Sequence, residues 1–159
     1  MLDPLIYSKL KDFCITTIQG IITANQTVFA PDKWPVFRQM QKTETNVVYP
    51  CITVIEVRMN PETTGYMAGD TENYYWMLPF NVLIQARDAG SLSVVEPKYM
   101  AVHQCLMDNF RQALFLDSSD KPFVQAEVFP KPVFEPDDGR YQDVAGGMVL
   151  KFWAIESRS

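Results

Sequence analysis

"NYYWMLPFNVLIQARDAG", residues 73–90, is the stretch whose reading decides the fold. Its even positions Tyr74, Trp76, Leu78, Phe80, Val82, Ile84 and Ala86 are apolar, while the odd positions Asn81, Gln85 and Arg87 are polar. Met77 and Leu83 are the apolar exceptions on the odd side. A period of two puts alternate side chains on opposite faces, so this is a long, half-buried strand. Pro79 stands in its middle. Proline has no N–H to give to a ladder, so strands tolerate it at an edge, at an end or at a bulge. The apolar stripe keeps its phase across Pro79, which argues against a one-residue bulge. The expectation is therefore an edge strand with the missing N–H turned outward, and with Tyr75, Met77 and Pro79 facing away from the core.

Working toward the N-terminus, "YPCITVIEVRM", residues 49–59, is rich in β-branched residues and apolar on both faces as far as Ile55. It reads as a central strand, joined to 73–88 as an antiparallel hairpin through a Gly- and Pro-containing tip at 60–73. Before it, residues 28–48 carry Pro31, Trp34, Pro35 and Phe37 with no clean period. A long irregular segment rich in large apolar groups is expected to be a contact arm. At the start, Asp3 and Pro4 suit a helix cap and first turn, and Ile6, Leu10, Phe13, Cys14, Ile18 and Ile21 recur at helical spacing, predicting a helix over about 4–22.

Toward the C-terminus, Val95, Tyr99, Val102, Leu106, Phe110 and Ala113 form one helical stripe within 91–115, with Ser93 and Glu96 as a capping box or Pro97 in the first turn. "FVQAEVF", 123–129, alternates as a strand. Residues 130–143 are turn-rich, with three prolines and Asp-Asp-Gly, and "VAGGMVLKFWAIES", 144–157, is the closing strand. The predicted fold is a single α+β domain over 1–159: a mostly antiparallel sheet of four strands or slightly more, with two helices packed on one face.

Composition narrows the function. Net charge is −5, against the basic footprint that tight nucleic-acid binding needs. The three cysteines, Cys14, Cys51 and Cys105, are far apart and lack ligand spacing, so they read as reduced, core-like thiols. No signal peptide or membrane-length apolar run is seen, and a soluble, cytoplasmically made protein is expected. The single histidine, His103, lies two residues from Cys105 on a helix, so the two point apart and cannot form a nucleophile pair; His103 is expected at a surface or interface. Carboxylate pairs at Asp70/Glu72 and Asp137–Asp138 fall in loops, where turn geometry explains them. Phosphate-binding motifs are absent, and Gly146–Gly147 fits a bulge or a close backbone approach. No catalytic, cofactor or metal residue is assigned.

What remains is a surplus of large apolar side chains. With one sheet face given to the core, the other still carries Met77, Leu83, Val149, Trp153 and Ile155, and the loops add Trp34, Phe37, Tyr66, Met67, Phe129 and Phe134. Either long loops fold back over this face, or part of it meets other copies of the chain. The candidate assembly interface is Trp34, Phe37, Tyr66, Met67, Tyr75, Met77, Phe129, Phe134 and Trp153. A binding pocket between sheet and helices, lined by Trp76, Phe80 and Tyr99, is a competing reading, and an enzyme using Asp137 and Asp138 a weaker one.

The layout resembles the tail terminator (tail-completion) proteins of long-tailed bacteriophages. The matching features are the leading helix 4–22, the arm 28–48, "VVYPCITVIEV" entering the sheet, the hairpin to "YYWMLPFNVLIQARD", helix 95–115 and the closing "GGMVLKFWAIES". The resemblance covers nearly the whole chain but is one of element order, with no diagnostic motif. It implies a structural virion protein of the tail-neck region, not an enzyme and without cofactor. Such a protein would form a homo-oligomeric, hexameric ring that caps the tail tube and meets the head connector, with DNA passing through unbound. A neighbouring neck or head-completion protein would share these features.

Overall fold

The computed structural model describes residues 3–41, 48–57, 62–63, 73–88, 92–115, 123, 125–134 and 142–157. Three helices, α1 (Ile6–Ala24), α2 (Gln26–Phe29) and α3 (Leu92–Phe115), accompany β1 (Val36–Phe37), β2 (Cys51–Glu56), β3 (Glu62–Thr63), β4 (Asn73–Asp88), β5 (Gln125–Phe134) and β6 (Gln142–Ser157). The sheet order is β1-β2-β4-β6-β5, with β3 also pairing to β4. The fold is thus α+β as expected, but the sheet is mixed. β1 runs parallel to β2, pairing Val36 with Ile52 and Phe37 with Thr53, while the other pairs are antiparallel. The parallel strand comes from the arm, whose lack of period conceals so short a ladder.

The alternation in 73–88 has the predicted consequence. Leu78, Phe80, Val82 and Ile84 of β4 are fully buried with Met148, Leu150 and Phe152 of β6 and Ile52 and Val54 of β2. Onto this face pack Leu10, Cys14 and Ile18 of α1 and Tyr99, Val102, Leu106 and Phe110 of α3, all buried. Phe13 meets Phe110, Phe123 and Phe152 edge-on at 5.1–6.5 Å, the offset geometry that aromatic quadrupoles favour. Asp3 accepts the Leu5 N–H at 2.9 Å and pairs with Lys9 at the entrance to α1. The Lys9 hydrogen bond, and then that from Leu5, hold its carboxyl below the usual range. In α3 the helix begins at Leu92, so Pro97 lies inside it rather than in its first turn.

The edge position expected for Pro79 is overturned. β4 is interior, flanked by β6 along its whole length and by β2 and β3 on the other side. What makes proline tolerable is the phase of the ladder. The Val57 N–H donates to the Pro79 carbonyl at 3.0 Å, so the backbone groups of Pro79 face β2. β2 ends at Glu56 opposite Phe80, and β3 pairs from Met77 onward. The absent N–H therefore falls at the junction of two short partners and removes one terminal bond, with β6 untouched.

The prolines that do sit on an edge are in β5, where the turn-rich reading of 130–143 is also corrected. Strand pairing continues to Phe134, with a register irregularity between Lys131 and Phe134. Even residues of β6 face β4, so its odd residues face β5 and bond Gln125, Glu127 and Phe129. Pro130 then turns its N side outward, and Pro132 falls in the irregularity, the two settings in which a strand accepts proline. Asp70, Glu72, Asp137 and Asp138 lie outside the described residues.

Gly147 has φ 152°, a conformation that side-chain-bearing residues rarely adopt. A Cβ there would overlap the Val82 carbonyl oxygen of the neighbouring strand and stand 2.9 Å from its carbon. Gly-Gly is thus a close backbone approach, as its sequence suggested. From the helix layer, His103 Nε2 donates to the Gly147 carbonyl at 2.9 Å while its ring stacks on Tyr99 at 5.9 Å. His103, expected at a surface or interface, is half-buried and ties α3 to β6.

Candidate assembly surface

The outer face of the sheet is built from the odd positions of β2, β4, β5 and β6. Register places Phe129, Val149, Asn81 and Ile55 in one row across four strands, and Trp153 beside Met77 in a parallel row. Phe129 is 40% and Ile155 42% exposed, while Met77, Leu83, Val149 and Trp153 are half-buried. Between the rows lie Pro79 and Lys151, whose Nζ stands 5.0 Å above the Phe129 ring. That contact favours a cation over the aromatic face and leaves the lysine stem along apolar surface. With strands about 4.8 Å apart and 3.4 Å per residue, the patch measures roughly 14 Å by 20 Å, on the order of 300 Å².

Among the described residues, cover by the chain itself is seen at one corner of the face. There the arm bends at Arg38 and Gln39 and doubles back, so that the Gln41 amide accepts from the Val48 N–H at 2.8 Å, donates to the Val48 carbonyl at 3.0 Å and meets Cys51 Sγ at 3.4 Å. Cys51 and Thr53, which point to this outer face, are buried accordingly.

The candidate interface residues are dispersed by the fold. Met77, Trp153 and Phe129 share the outer face. Phe37 is half-buried in β1 and lines a separate cleft. Trp34 is not available to a partner. It is 6% exposed, packs edge-on against Phe29 at 5.8 Å and donates its indole N–H to the Phe29 carbonyl at 3.1 Å. Tyr66 and Met67 lie outside the described residues, as do the side chains of Tyr75 and Phe134. Ile155 and Val149 belong to the patch and were legible as outward residues of the last strand.

The cleft, about 790 Å³, opens between α1, the arm and the end of β2. Its floor is an ion pair between Lys11 and Glu56, whose side chains are 12% and 18% exposed, and Lys11 also donates to the Arg38 carbonyl at 2.7 Å. Arg38 in turn pairs with Asp12. The arm is thus anchored by the aromatic core contact of Trp34, by charge at Arg38 and by the ion pair of Asp32 with Lys98 of α3.

Of the residues expected to line a pocket between sheet and helices, two lie in the core and one at its border. Phe80 and Tyr99 are fully buried in the core, and half-buried Trp76 donates its indole N–H to Glu156. Burial pushes the Tyr99 phenol up to about 12. Desolvation also raises the thiols of Cys14, Cys51 and Cys105, none of which is disulfide-bonded, and a thiol held protonated is a poor nucleophile. Among the described residues, no three histidine, cysteine or acidic groups converge as a metal site would require, and no helix is long and apolar enough to cross a membrane. No family model matches the chain, and no curated protein aligns to it significantly.

Proposed function

We propose that this chain is a structural assembly protein of the tail-terminator type, forming a homo-oligomeric ring that caps a phage tail tube and joins it to the head connector. One observation carries the reading: an outer sheet face with Met77, Val149, Trp153, Ile155 and Phe129 in adjoining rows, opposite the buried core. The largest apolar patch on a typical monomer is about 300–600 Å² and often functional, which makes this face the candidate interaction surface. The acidic balance, net −5, suits a channel through which DNA slides without adhering. A hexamer is the expected ring, and the tail-neck region of the virion its place. A head-completion or adaptor protein of the same neck would use the same face.

Size-exclusion chromatography with light scattering, followed by negative-stain imaging with and without purified tail tubes, tests this. Rings, free or seated on tube ends, are the expected result. Trp153→Glu with Met77→Glu should keep the fold and lose the ring. A chain that remains monomeric alone and on tubes overturns the proposal, and gold-labelled particles distinguish tube end from connector side.

A further inference from the structure

Lys151 stands in the middle of the outer face. Along β6 its neighbours on that side are Val149 and Trp153, and in register it has Pro79 on β4 and Glu127 on β5. Its Nζ lies over the Phe129 ring, while Glu127 is exposed. Among the described residues, the other half-buried lysines each hold a carboxylate: Lys11 has Glu56 and Lys98 has Asp32. Lys151 is half-buried with an aromatic ring in place of a counter-ion.

While the face meets water, the ammonium stays hydrated and the arrangement is cheap. A protein surface laid over Phe129, Val149, Trp153 and Met77 strips that water away. A cation–π contact replaces only part of the lost hydration, and a buried charge without a counter-charge offsets the apolar gain. A surface that covers this face well therefore brings a carboxylate to Lys151.

The chain carries a surface of that kind on its helix layer. Met100 of α3 is 48% exposed, and Gln104 and Asp108 follow at one-turn intervals on the same exposed side. Asp108 accepts from Gln104 Nε2 at 2.9 Å. Unlike Asp3, Asp12, Asp32 and Glu56, it has no lysine or arginine partner among the described residues. An apolar group and a carboxylate without a counter-ion thus lie about 12 Å apart along one helix.

We infer that Asp108 of one copy pairs with Lys151 of the next, with Met100 against the apolar side chains around it. The inference rests on the ring reading and names a contact within the ring. The two surfaces belong to opposite layers of the domain, so they are unlike and meet head-to-tail, the arrangement that closes into a ring when the rotation allows. An ion pair formed only on contact also fixes which surfaces meet and in what register.

Assembly of the full chain, followed by light scattering across concentration, tests the pairing. Lys151→Glu and Asp108→Lys should each weaken assembly by about 30-fold or more, and the double reversal should restore it. The sign of the Lys151→Met effect separates an ion pair from a purely apolar contact. It should weaken assembly, because it leaves the carboxylate of the next copy covered and alone, whereas against an apolar partner it would strengthen it. In the wild-type assembly, a carbodiimide condenses an amine with a carboxylate to an amide, with loss of water. It should join Lys151 to Asp108 between copies, as read by mass spectrometry on mixed isotope-labelled and unlabelled chains. This measurement needs no variant and decides the matter if a reversal fails to fold. A wild-type ring that survives both reversals, that Lys151→Met strengthens, or whose Lys151 links instead to Glu127 of its own chain or to a tube protein overturns the pairing and leaves the ring standing. A wild-type chain that never oligomerises, alone or on tubes, overturns both.

Discussion

Replacing Gly147 with alanine adds one methyl group to 159 residues, yet it should be among the most damaging small substitutions in this chain. Two effects act together. The backbone at φ 152° is one that L-residues rarely adopt, and holding a non-glycine residue there costs about 1–3 kcal/mol. The new Cβ also meets main chain, not a flexible side chain: it overlaps the Val82 oxygen and stands 3.4 Å from the Ile84 nitrogen. Relieving that overlap means separating β4 from β6 at the centre of the sheet or forcing Gly147 to another φ, an overpacking cost of about 1–3 kcal/mol. Either relaxation also moves the carbonyl that His103 holds. The expected loss is about 4 kcal/mol, a large share of the roughly 5–15 kcal/mol that stabilises an ordinary domain. In urea, with a slope near 2 kcal/mol per molar, the midpoint should fall by about 2 M. Gly20 provides the control. It lies exposed in α1, and a Cβ there meets nothing within 4 Å, so Gly20→Ala should stabilise by about 0.5–1 kcal/mol through helix propensity. Circular dichroism followed through urea measures both. A Gly147→Ala midpoint within about 0.3 M of wild type, below roughly 1 kcal/mol by the same slope, would refute the close-approach reasoning.

Trp34→Ala should cost about 3–5 kcal/mol, because it empties a buried site and orphans the Phe29 carbonyl; a loss under 1 kcal/mol in the same titration would return Trp34 to the surface. Lys11→Met removes the ammonium that faces Glu56 in a half-buried ion pair and should cost about 2–4 kcal/mol, with the Lys11→Met/Glu56→Gln double variant recovering part of it; strict additivity would show that the pair is not coupled. Burial raises all three thiols above their usual 9.0 and Tyr99 from 10.0 to about 12, so the folded state holds these protons more tightly than the unfolded chain. Their contribution is intact below about pH 9 and is lost as pH rises, for Tyr99 between 10 and about 12. Melting temperature should fall steadily above pH 9, and a flat profile to pH 11 would contradict it. Cys105, half-buried, should react with a maleimide in the native protein, whereas Cys14 and Cys51 should react only on unfolding.

Much of the architecture is written locally in this sequence. The period of two in 73–88 puts Leu78, Phe80, Val82 and Ile84 on one face, and the helical stripes through Leu10 and Leu106 meet that face, because each pattern depends only on backbone geometry along its own segment. The outward positions of Met77, Val149 and Trp153 follow from the same alternation. Strand order does not, since it depends on which distant segments close against one another. Only the tertiary structure placed β4 inside the sheet, with Pro79 spared by the junction of β2 and β3, and gave the edge to β5 and Pro130. Likewise Trp34 and Phe37 look alike in an arm without a period, yet one fills the core and the other lines a cleft, because the arm's path is set by what it folds onto: Phe29 for Trp34, and Lys11 and Cys51 beyond it. The sequence by itself determined which side chains turn inward along each element; the assembled sheet decided which strands lie at its centre and which at its margins.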